Sequence, residues 1–198
     1  MKIEGGQNLI DYIRGKKAFS FDSCRTFFRN LKCYLYNYWI TYFPSYHVRH
    51  WYLKHVLGIK IGKGSFVHLG CYFLPTKVVI GSDTVIGRNV DIIGEVVIGD
   101  HCSITSHSVL QSASHHKNSL TFAGFVHSII IEDYVWIGNM SVVLPGVVIK
   151  RGAIVGAHST VCKNIENFEI VAGCPSKVLG KRDEQICRYV LSYRPPFN

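Results

Sequence analysis

The residues best suited to acid–base chemistry lie in an irregular segment, residues 111–130. His115 and His116 are adjacent near its start, and His127 lies near its end. An imidazole titrates near neutral pH, so a histidine held in place can act as a general base toward a hydroxyl or an amine. A histidine in a surface loop is also often a solvated residue without a catalytic role. The elements that position these side chains therefore decide which of them can react.

Aliphatic residues recur at every sixth position on both sides of this segment. The twelve positions are Ile80, Ile86, Ile92, Ile98, Ile104, Leu110, Ile131, Ile137, Val143, Ile149, Val155 and Val161. This spacing does not produce the i, i+3, i+4, i+7 pattern of an amphipathic helix. It is typical of short strands joined by tight corners, in which three units form a coil of about 18 residues. We therefore predict a parallel β-helix with coils stacked about 4.8 Å apart.

Glycines predict the corners of these coils. Five of the aliphatic residues are followed directly by a glycine: Gly81, Gly87, Gly99, Gly138 and Gly156. Glycine adopts positive φ without strain, so we predict corners with positive φ at these glycines. Residues 59–79 form an earlier coil, in which Leu74 continues the spacing six residues before Ile80. One extra residue in this coil predicts a bulge at residues 72–74.

Composition indicates one folded domain with an appendage. Of the 198 residues, 47% are hydrophobic and 18% are charged, which allows a core and argues against disorder. Seven cysteines are scattered without a C-x-x-C pair, so neither a disulfide framework nor a thiolate zinc site is expected. The histidines of the repeats and of segment 111–130 lack the H-x4-H spacing of the zinc site in coil-type carbonic anhydrases, so no metal is expected.

The net charge of +9 favours phosphate-bearing partners such as a coenzyme, a nucleotide sugar or an anionic membrane. No nucleic-acid-binding motif is present, so nucleic acid is not an expected partner. Residues 1–17 lack the apolar core of a signal peptide. Together with the cysteine pattern, this predicts a cytoplasmic protein.

The N-terminal part of the chain does not share the repeat. Residues 20–58 have the pattern of one or two helices interrupted at Pro44, and the aromatic run from Cys33 to Phe43 is 11 residues long. This run is too short to cross a bilayer, but with its basic flanks it could lie on the inner face of an anionic membrane. It could instead cover the open strand edge of the first coil, as repeat proteins require. We favour the second interpretation, although the two are compatible.

Four motifs in the second half of the chain resemble a known enzyme family. They are IEDYVWIG at 131–138, LPGVVI at 144–149, IVGA at 154–157 and IVAGCPSKV at 170–178. Together they resemble the hexapeptide-repeat acyltransferases, most closely the O-acetyltransferases of bacterial polysaccharide synthesis, with the maltose and galactoside acetyltransferases as more distant relatives. The resemblance implies a left-handed parallel β-helix, a homotrimer, and acetyl-CoA bound between adjacent subunits.

The resemblance covers residues 59–182 and implies an organisation in three parts. Residues 1–58 form an N-terminal helical segment, 59–182 form the β-helix with the active-site loop 111–130, and 183–198 form a short C-terminal helix and tail. The left-handed course of the coil is implied by the resemblance alone, because the spacing of the repeat does not determine it.

The resemblance also implies roles for individual residues. The catalytic histidine of the family matches His115, with His116 beside it as a competing assignment. Trp136 matches a tryptophan that lines the site, and Asn139 matches the residue whose backbone N–H faces the thioester oxygen. Two positions on an earlier coil match residues that contact the acceptor sugar in related enzymes: Asn89 and Asp91.

A further set of residues matches the coenzyme A site of the family: Gly138, Gly156, Ala157, Lys163, Lys177, Lys181 and Arg182. The Gly156–Ala157 step would let the pantetheine chain lie against the backbone, and the basic side chains would meet the phosphates. Each lysine could equally be an ordinary surface charge. The chain departs from the family pattern at Cys162, Cys174 and His158, and His158 leaves the local course of the groove open.

These assignments predict direct transfer of an acetyl group from acetyl-CoA to a hydroxyl of a sugar, a nucleotide sugar or a lipid-linked glycan. His115 is the expected general base, and no covalent enzyme intermediate is needed. Two alternatives remain open. One is an N-acetyltransferase acting on an amino sugar nucleotide, and the other is a non-catalytic, membrane-associated scaffold.

Overall fold

The described part of the chain starts with helices and continues as a coil of short strands. The structure, a computed structural model, describes residues 21–191, with side chains from residue 24 onward. Helix α1 spans Phe21–Tyr38, a 3₁₀ helix spans Ile40–Tyr42, and helix α2 spans Tyr46–His55. The predicted interruption at Pro44 is confirmed, and the first part of the predicted N-terminal segment, residues 1–20, lies outside the described residues.

Seventeen strands follow within residues 21–191. They are β1 (Lys60–Ile61), β2 (Phe66–Val67), β3 (Tyr72–Ile80), β4 (Val85–Ile86), β5 (Asp91–Ile98), β6 (Ser103–Ile104), β7 (Val109–Gln111), β8 (Ala113–His115), β9 (Gly124–Val126), β10 (Ile129–Ile131), β11 (Trp136–Ile137), β12 (Val142–Val143), β13 (Val148–Ile149), β14 (Ile154–Val155), β15 (Thr160–Val161), β16 (Glu169–Ala172) and β17 (Lys177–Lys181). Parallel pairing joins all of these strands except β8, β9 and β17.

Three stacks of parallel strands run along the coil. The first contains β1, the C-terminal halves of β3 and β5, β10 and β13; the second contains β2, β4, β6, β11, β14 and β16; the third contains the N-terminal halves of β3 and β5, β7, β12 and β15. Inward residues align within a stack, as in the ladder Ile80–Ile98–Ile131–Ile149. All twelve residues of the predicted repeat are at most 2% exposed, which confirms the six-residue spacing of the core.

The corners between the stacks line up along the coil as three edges, which we number one to three. The first edge joins stacks one and two and includes Asp83, His101 and Tyr134. The second edge joins stacks two and three and includes Asn89, His107, Asn139, Met140, Ala157 and His158. The third edge joins stack three to the next coil's stack one and includes Thr76, Gly94, residues 112–128, Gly146 and Lys163.

The predicted bulge in the first coil, at residues 72–74, was placed a few residues too early. Phe73, not Leu74, points inward: Phe73 is fully buried and pairs with Ile92, whereas Leu74 is 40% exposed. The register shift falls between Pro75 and Lys77. Counting back six residues from Ile80 passed over this irregularity, because the extra residue follows the aromatic core position instead of preceding it.

The glycines do lie at the corners, but the predicted reason for them, positive φ at the glycine itself, was wrong. Positive φ occurs two residues after each of these glycines, for example at Asp83 (49°), Asn89 (54°) and His158 (55°). The glycine itself is needed because the next coil passes too close for a side chain. A Cβ at Gly138 would lie 2.5 Å from the backbone nitrogen of Ala157. Close stacking of backbones therefore selects glycine here.

The helices cover the open strand edge of the first coil. The Asn37 side chain donates to the Phe73 carbonyl (3.0 Å) and accepts from the Phe73 N–H (2.9 Å), as a neighbouring strand would. His50 accepts from the Val67 N–H (3.1 Å), and Arg49 donates to the Val67 carbonyl (3.4 Å). Because buried backbone groups need partners, these contacts confirm the capping interpretation for α1 and α2.

The C-terminal part turns back on the coil. Strand β17 pairs antiparallel with β16, and a 3₁₀ helix at Glu184–Ile186 is the helical element found between β17 and Leu191. Residues 192–198 of the predicted tail lie outside the described residues. The division of the chain at residues 58 and 182 stays a prediction. Among residues 21–191, no helix is both long and apolar enough to cross a membrane.

Candidate functional site

The predicted active-site loop is largely a β-hairpin. Strands β8 and β9 pair antiparallel, with Ser114 opposite Phe125 and His115 opposite Gly124. Ser112 fixes the base of the hairpin on β5, because its hydroxyl donates to the Ile93 carbonyl (2.9 Å). The hairpin therefore projects from the third edge as an ordered arm, and its strands hold the histidine backbone.

The His115 ring is held in one tautomer within this hairpin. Its Nδ1 lies 2.9 Å from the Phe122 carbonyl oxygen, and the ring stacks on the Phe122 ring at 4.1 Å. A carbonyl only accepts hydrogen bonds, so Nδ1 carries the proton and Nε2 of the neutral ring is an acceptor. The His115 side chain is exposed. In the neutral ring, Nε2 is therefore the nitrogen with the free lone pair, and a general base needs such an accessible acceptor.

His116 has a different environment. Its ring packs 4.7 Å from the Phe125 ring, which in turn contacts the His127 ring at 4.7 Å. His127 also lies over the third edge, where its carbonyl accepts from the Gly146 N–H (3.0 Å). The two neighbouring histidines thus contact different aromatic rings. A backbone carbonyl sets the tautomer of His115, whereas the described contact of the His116 ring is with an aromatic ring.

The second edge presents backbone donors to solvent. At its corner, the N–H groups of Gly138 and Met140 bond to carbonyls of adjacent coils, at 2.7 Å and 3.1 Å. The Asn139 N–H between them has no acceptor among residues 21–191, and neither does the Ala157 N–H one coil further on. Asn139 and Ala157 are exposed. These two N–H groups are therefore available to carbonyl oxygens of a ligand.

His115 and Asn139 belong to different edges of the coil. The hairpin leaves the third edge, whereas Asn139 lies on the second edge. The path along stack three from Met140 to Gly146 covers about six residues, or roughly 20 Å at 3.3 Å per residue. The corners from which the two residues start are therefore well separated on the coil.

A polar cluster lies further along the second edge. The Asn89 Nδ2 is 3.4 Å from the His107 Nε2. Burial raises the pKa of the Asp91 carboxyl, and nearby His107 lowers it in part. Asn89 and Asp91 were predicted to contact the acceptor, whereas His107 was not singled out. The sequence could have indicated His107, because it follows Asn89 by 18 residues, the length of one coil, and so occupies the same corner on the next coil.

Comparison with known proteins identifies the family. The model of the bacterial transferase hexapeptide repeat (six repeats) matches residues 77–112 and 128–163, leaving out the hairpin. The chain is 32% identical over 136 residues to a protein of Escherichia coli K12 named as colanic acid biosynthesis acetyltransferase WcaF, covering 67% of this chain and 75% of WcaF. The chain belongs to the bacterial hexapeptide transferases. The predicted family and its enzyme class, acyltransferase, are confirmed.

Solved structures support the fold of this hexapeptide transferase. A hexapeptide-repeat acetyltransferase from Vibrio cholerae is 25% identical, with a TM-score of 0.69, and covers 88% of this chain and 100% of its own. The same Vibrio protein has been solved with acetyl-CoA. A mutant of AntD, an N-acyltransferase from Bacillus cereus solved with coenzyme A and dTDP-4-amino-4,6-dideoxyglucose, is 26% identical, with a TM-score of 0.61 over 65% of this chain and 75% of its own. The predicted left-handed parallel β-helix is confirmed.

The residues predicted to bind coenzyme A are spread over this hexapeptide transferase. Gly138, Gly156 and Ala157 lie on the second edge, and Lys163 lies on the third edge. Lys177 and Lys181 are exposed at opposite ends of β17. Their roles stay predictions.

Arg182 lies apart from the rest of this set. Its guanidinium donates to the Tyr134 carbonyl (3.2 Å) on the first edge and lies 5.4 Å from the centre of the Tyr189 ring. These contacts hold the C-terminal turn against the coil. The structure therefore shows a packing role for Arg182. Its guanidinium lies at the first edge, away from the backbone donors of the second edge, and its predicted contact with the coenzyme phosphates stays a prediction.

Trp136 points outward from stack two. It pairs with Ser103 and Ile154 on adjacent coils and is 46% exposed. Its side chain is thus accessible to a ligand or a neighbouring subunit and is not part of the coil interior. Within residues 21–191, no group of three His, Cys, Asp or Glu side chains is placed to hold a metal ion.

Proposed function

We propose that this hexapeptide transferase moves an acetyl group from acetyl-CoA to a sugar hydroxyl in the biosynthesis of a surface polysaccharide. The observation that carries the proposal is the hydrogen bond from His115 Nδ1 to the Phe122 carbonyl, which leaves Nε2 as a base. The similarity to WcaF supports the class of acceptor. The reaction belongs in the cytoplasm, in keeping with the free cysteines among the described residues.

The proposed mechanism needs two groups of the protein. His115 Nε2 accepts the proton of the acceptor hydroxyl as that oxygen attacks the thioester carbonyl. The Asn139 N–H donates to the oxyanion of the tetrahedral adduct, which is often the largest electrostatic contribution in acyl transfer. His115 then returns the proton to the departing thiolate of coenzyme A. The acetyl group passes directly from sulfur to oxygen, without an enzyme-bound acetyl intermediate.

A transfer assay tests this function. The full chain is incubated with isotopically labelled acetyl-CoA and, in turn, with free sugars, nucleotide sugars and lipid-linked saccharides. We expect thiol release matched by a labelled saccharide from which mild alkali removes the acetate, because an ester is labile and an amide is not. Absence of labelled product with every acceptor class, under conditions in which the chain binds acetyl-CoA, would overturn the proposal.

A second candidate is N-acylation of an amino sugar nucleotide. The structural similarity to AntD, solved with such a nucleotide, favours it. The same site geometry fits both reactions: the neutral amine attacks the thioester, His115 takes a proton from the cationic nitrogen of the tetrahedral adduct, and the thiolate of coenzyme A leaves. An alkali-stable product formed on an amino sugar nucleotide would show that the enzyme makes an amide and not an ester.

We also propose that the active enzyme is a trimer whose sites lie between subunits. Support comes from the separation of His115 and Asn139 on different edges. Light scattering at micromolar concentration should show about three times the chain mass of 22.4 kDa. A monomer would contradict the shared site.

Mixing two inactive variants tests the shared site directly. His115→Ala removes the base on the third edge, and Ala157→Trp blocks the second edge. In randomly mixed trimers, some sites combine an intact hairpin with an intact second edge, so activity should return to about a quarter of the native value. No recovery in trimers shown to be mixed would place the whole site within one subunit.

A further inference from the structure

Helix α1 has a large exposed aromatic surface besides the face that packs on the coil. Cys33, Tyr36 and Asn37 of this helix are buried against the first coil. Several other residues of α1, and Trp39 directly after it, are 39–70% exposed: Phe27, Phe28, Leu31, Tyr34, Leu35, Tyr38 and Trp39. An apolar stripe of this size on a helix that already has its packing face is unusual for a free surface and indicates a binding role.

This exposed surface consists of two ridges with different neighbours. The first ridge contains Phe27, Leu31, Tyr34 and Tyr38 and forms one wall of a cavity of about 720 Å³. The second ridge contains Phe28, Leu35 and Trp39, spaced i, i+7 and i+11, and lies outside this cavity. We call these the cavity ridge and the outer ridge.

Basic side chains accompany the outer ridge. Helical spacing places Arg25 beside Phe28, and Lys32 between Phe28 and Leu35, and both basic residues are exposed. Together with Phe28 they also line a second cavity toward Val56 and Leu57. The chain carries 22 Lys and Arg against 13 Asp and Glu. Aromatic residues with adjacent basic residues, on a helix that is not both long and apolar enough to cross a membrane, are the pattern of an interfacial helix on anionic lipids.

The cavity beside the other ridge leads to the hairpin. Arg29 and Asn30 of α1 line it together with Tyr72, Gly94 and Ala113. Ala113 is the first residue of β8, the strand that carries His115. A helix lying on a bilayer through its outer ridge would therefore place the mouth of this cavity, and the approach to His115, at the lipid surface.

We propose that the outer ridge of α1, with Arg25 and Lys32, docks this protein on an anionic bilayer, and that the adjoining cavity admits the saccharide of an acceptor carried in that bilayer. The docking stands independently, whereas the delivery of an acceptor rests on the proposed function. An anionic surface is favoured over a second copy of this ridge as the occupant, because pairing two identical ridges would bring the Arg25 and Lys32 side chains of both copies together.

The docking is tested by vesicle flotation of the full chain. Vesicles of phosphatidylcholine containing phosphatidylglycerol should carry the native chain, vesicles of phosphatidylcholine alone should carry far less, and salt should weaken both. Replacing Phe28, Leu35 and Trp39 together by Ser should weaken binding about 100-fold or more. Arg25→Gln with Lys32→Gln should weaken it about 25-fold, since each basic residue near an anionic surface contributes about five-fold.

Light scattering separates the alternatives. The triple Ser variant should keep the assembly state and circular dichroism of the native chain, because the three side chains are exposed. Loss of assembly in this variant would show that the ridge joins copies of the chain and would overturn the proposal. Equal flotation of native and triple variant, or no flotation of the native chain at low salt, would overturn it as well.

The acceptor is tested with the saccharide identified in the transfer assay, supplied free or linked to polyprenyl diphosphate in the same vesicles. The triple Ser variant should transfer to the free saccharide at the native rate but show a KM at least ten-fold higher for the vesicle-borne form. Asn30→Trp, which fills the cavity, should raise both KM values and leave flotation unchanged. Equal KM values for native and triple variant on vesicles would overturn the acceptor assignment alone, and transfer to no acceptor despite flotation would sink the proposed function alone.

Discussion

His115→Ala is expected to lower kcat by about 10²–10⁴, the usual contribution of a positioned general base. The reason is specific to the hairpin: the Phe122 carbonyl holds Nδ1 protonated, so Nε2 is the group that can take the proton of the acceptor. Binding of coenzyme A should change little, because its predicted contacts lie on other residues. Assembly should also persist, because the side chain is exposed. Steady-state kinetics and calorimetric titration with coenzyme A measure both effects.

His116→Ala is the matched control for this prediction. Its ring packs on Phe125 and not on Phe122, so most activity should remain. Equal losses from both variants would mean a shared role or a disturbed hairpin, and circular dichroism with light scattering would distinguish these. Full activity of His115→Ala with the true acceptor would exclude His115 as the base and leave the mechanism without its proton acceptor.

Gly62→Ala is expected to destabilise the fold by about 3 kcal/mol, at the upper end for overpacking. A Cβ at this position would lie 2.5 Å from the backbone carbon of Gly81 and from the backbone nitrogen of Ser82. Backbone atoms of a stacked coil cannot move aside as the end of a side chain can, so two coils would have to separate locally. For a chain of this length the melting temperature should fall on the order of 10 °C.

Gly180→Ala is the control for this effect. Gly180 lies on the exposed strand β17, and a Cβ there would meet no atom within 4 Å. Its stability should stay within about 0.5 kcal/mol of the native value. If Gly62→Ala and Gly180→Ala melted together with the native protein, close backbone stacking would not be the reason for glycine after the inward residue.

The six-residue periodicity of the inward residues allowed the fold to be predicted from the sequence. Each inward residue is separated from the next by a short strand and a corner, so the pattern depends only on neighbours in the chain. All twelve predicted core positions are buried for this reason, from Ile80 to Val161. Where a local irregularity enters, the same reasoning fails, as the exposed Leu74 and the buried Phe73 show.

The site was predicted only as a set of residues. Sequence motifs singled out His115 and Asn139, but not the carbonyl of Phe122 that selects the tautomer of the histidine. That contact arises because residues 111–130 fold into a hairpin and bring Phe122 back over His115. The separation of the two residues on different edges depends on how strands stack across the coil, which sequence spacing does not specify.

The N-terminal helix shows the same division between local pattern and tertiary contact. The sequence by itself determined a helix with an aromatic run and basic flanks, and both capping and membrane binding were open. Only the orientation of α1 about its own axis on the first coil decided which side chains cap the strand edge and which are exposed. Asn37 completes the strand edge at Phe73, whereas Trp39, two residues away, faces outward and is 70% exposed. That orientation is set by buried contacts with residues about 36 positions away in the chain, so no local pattern could have revealed it.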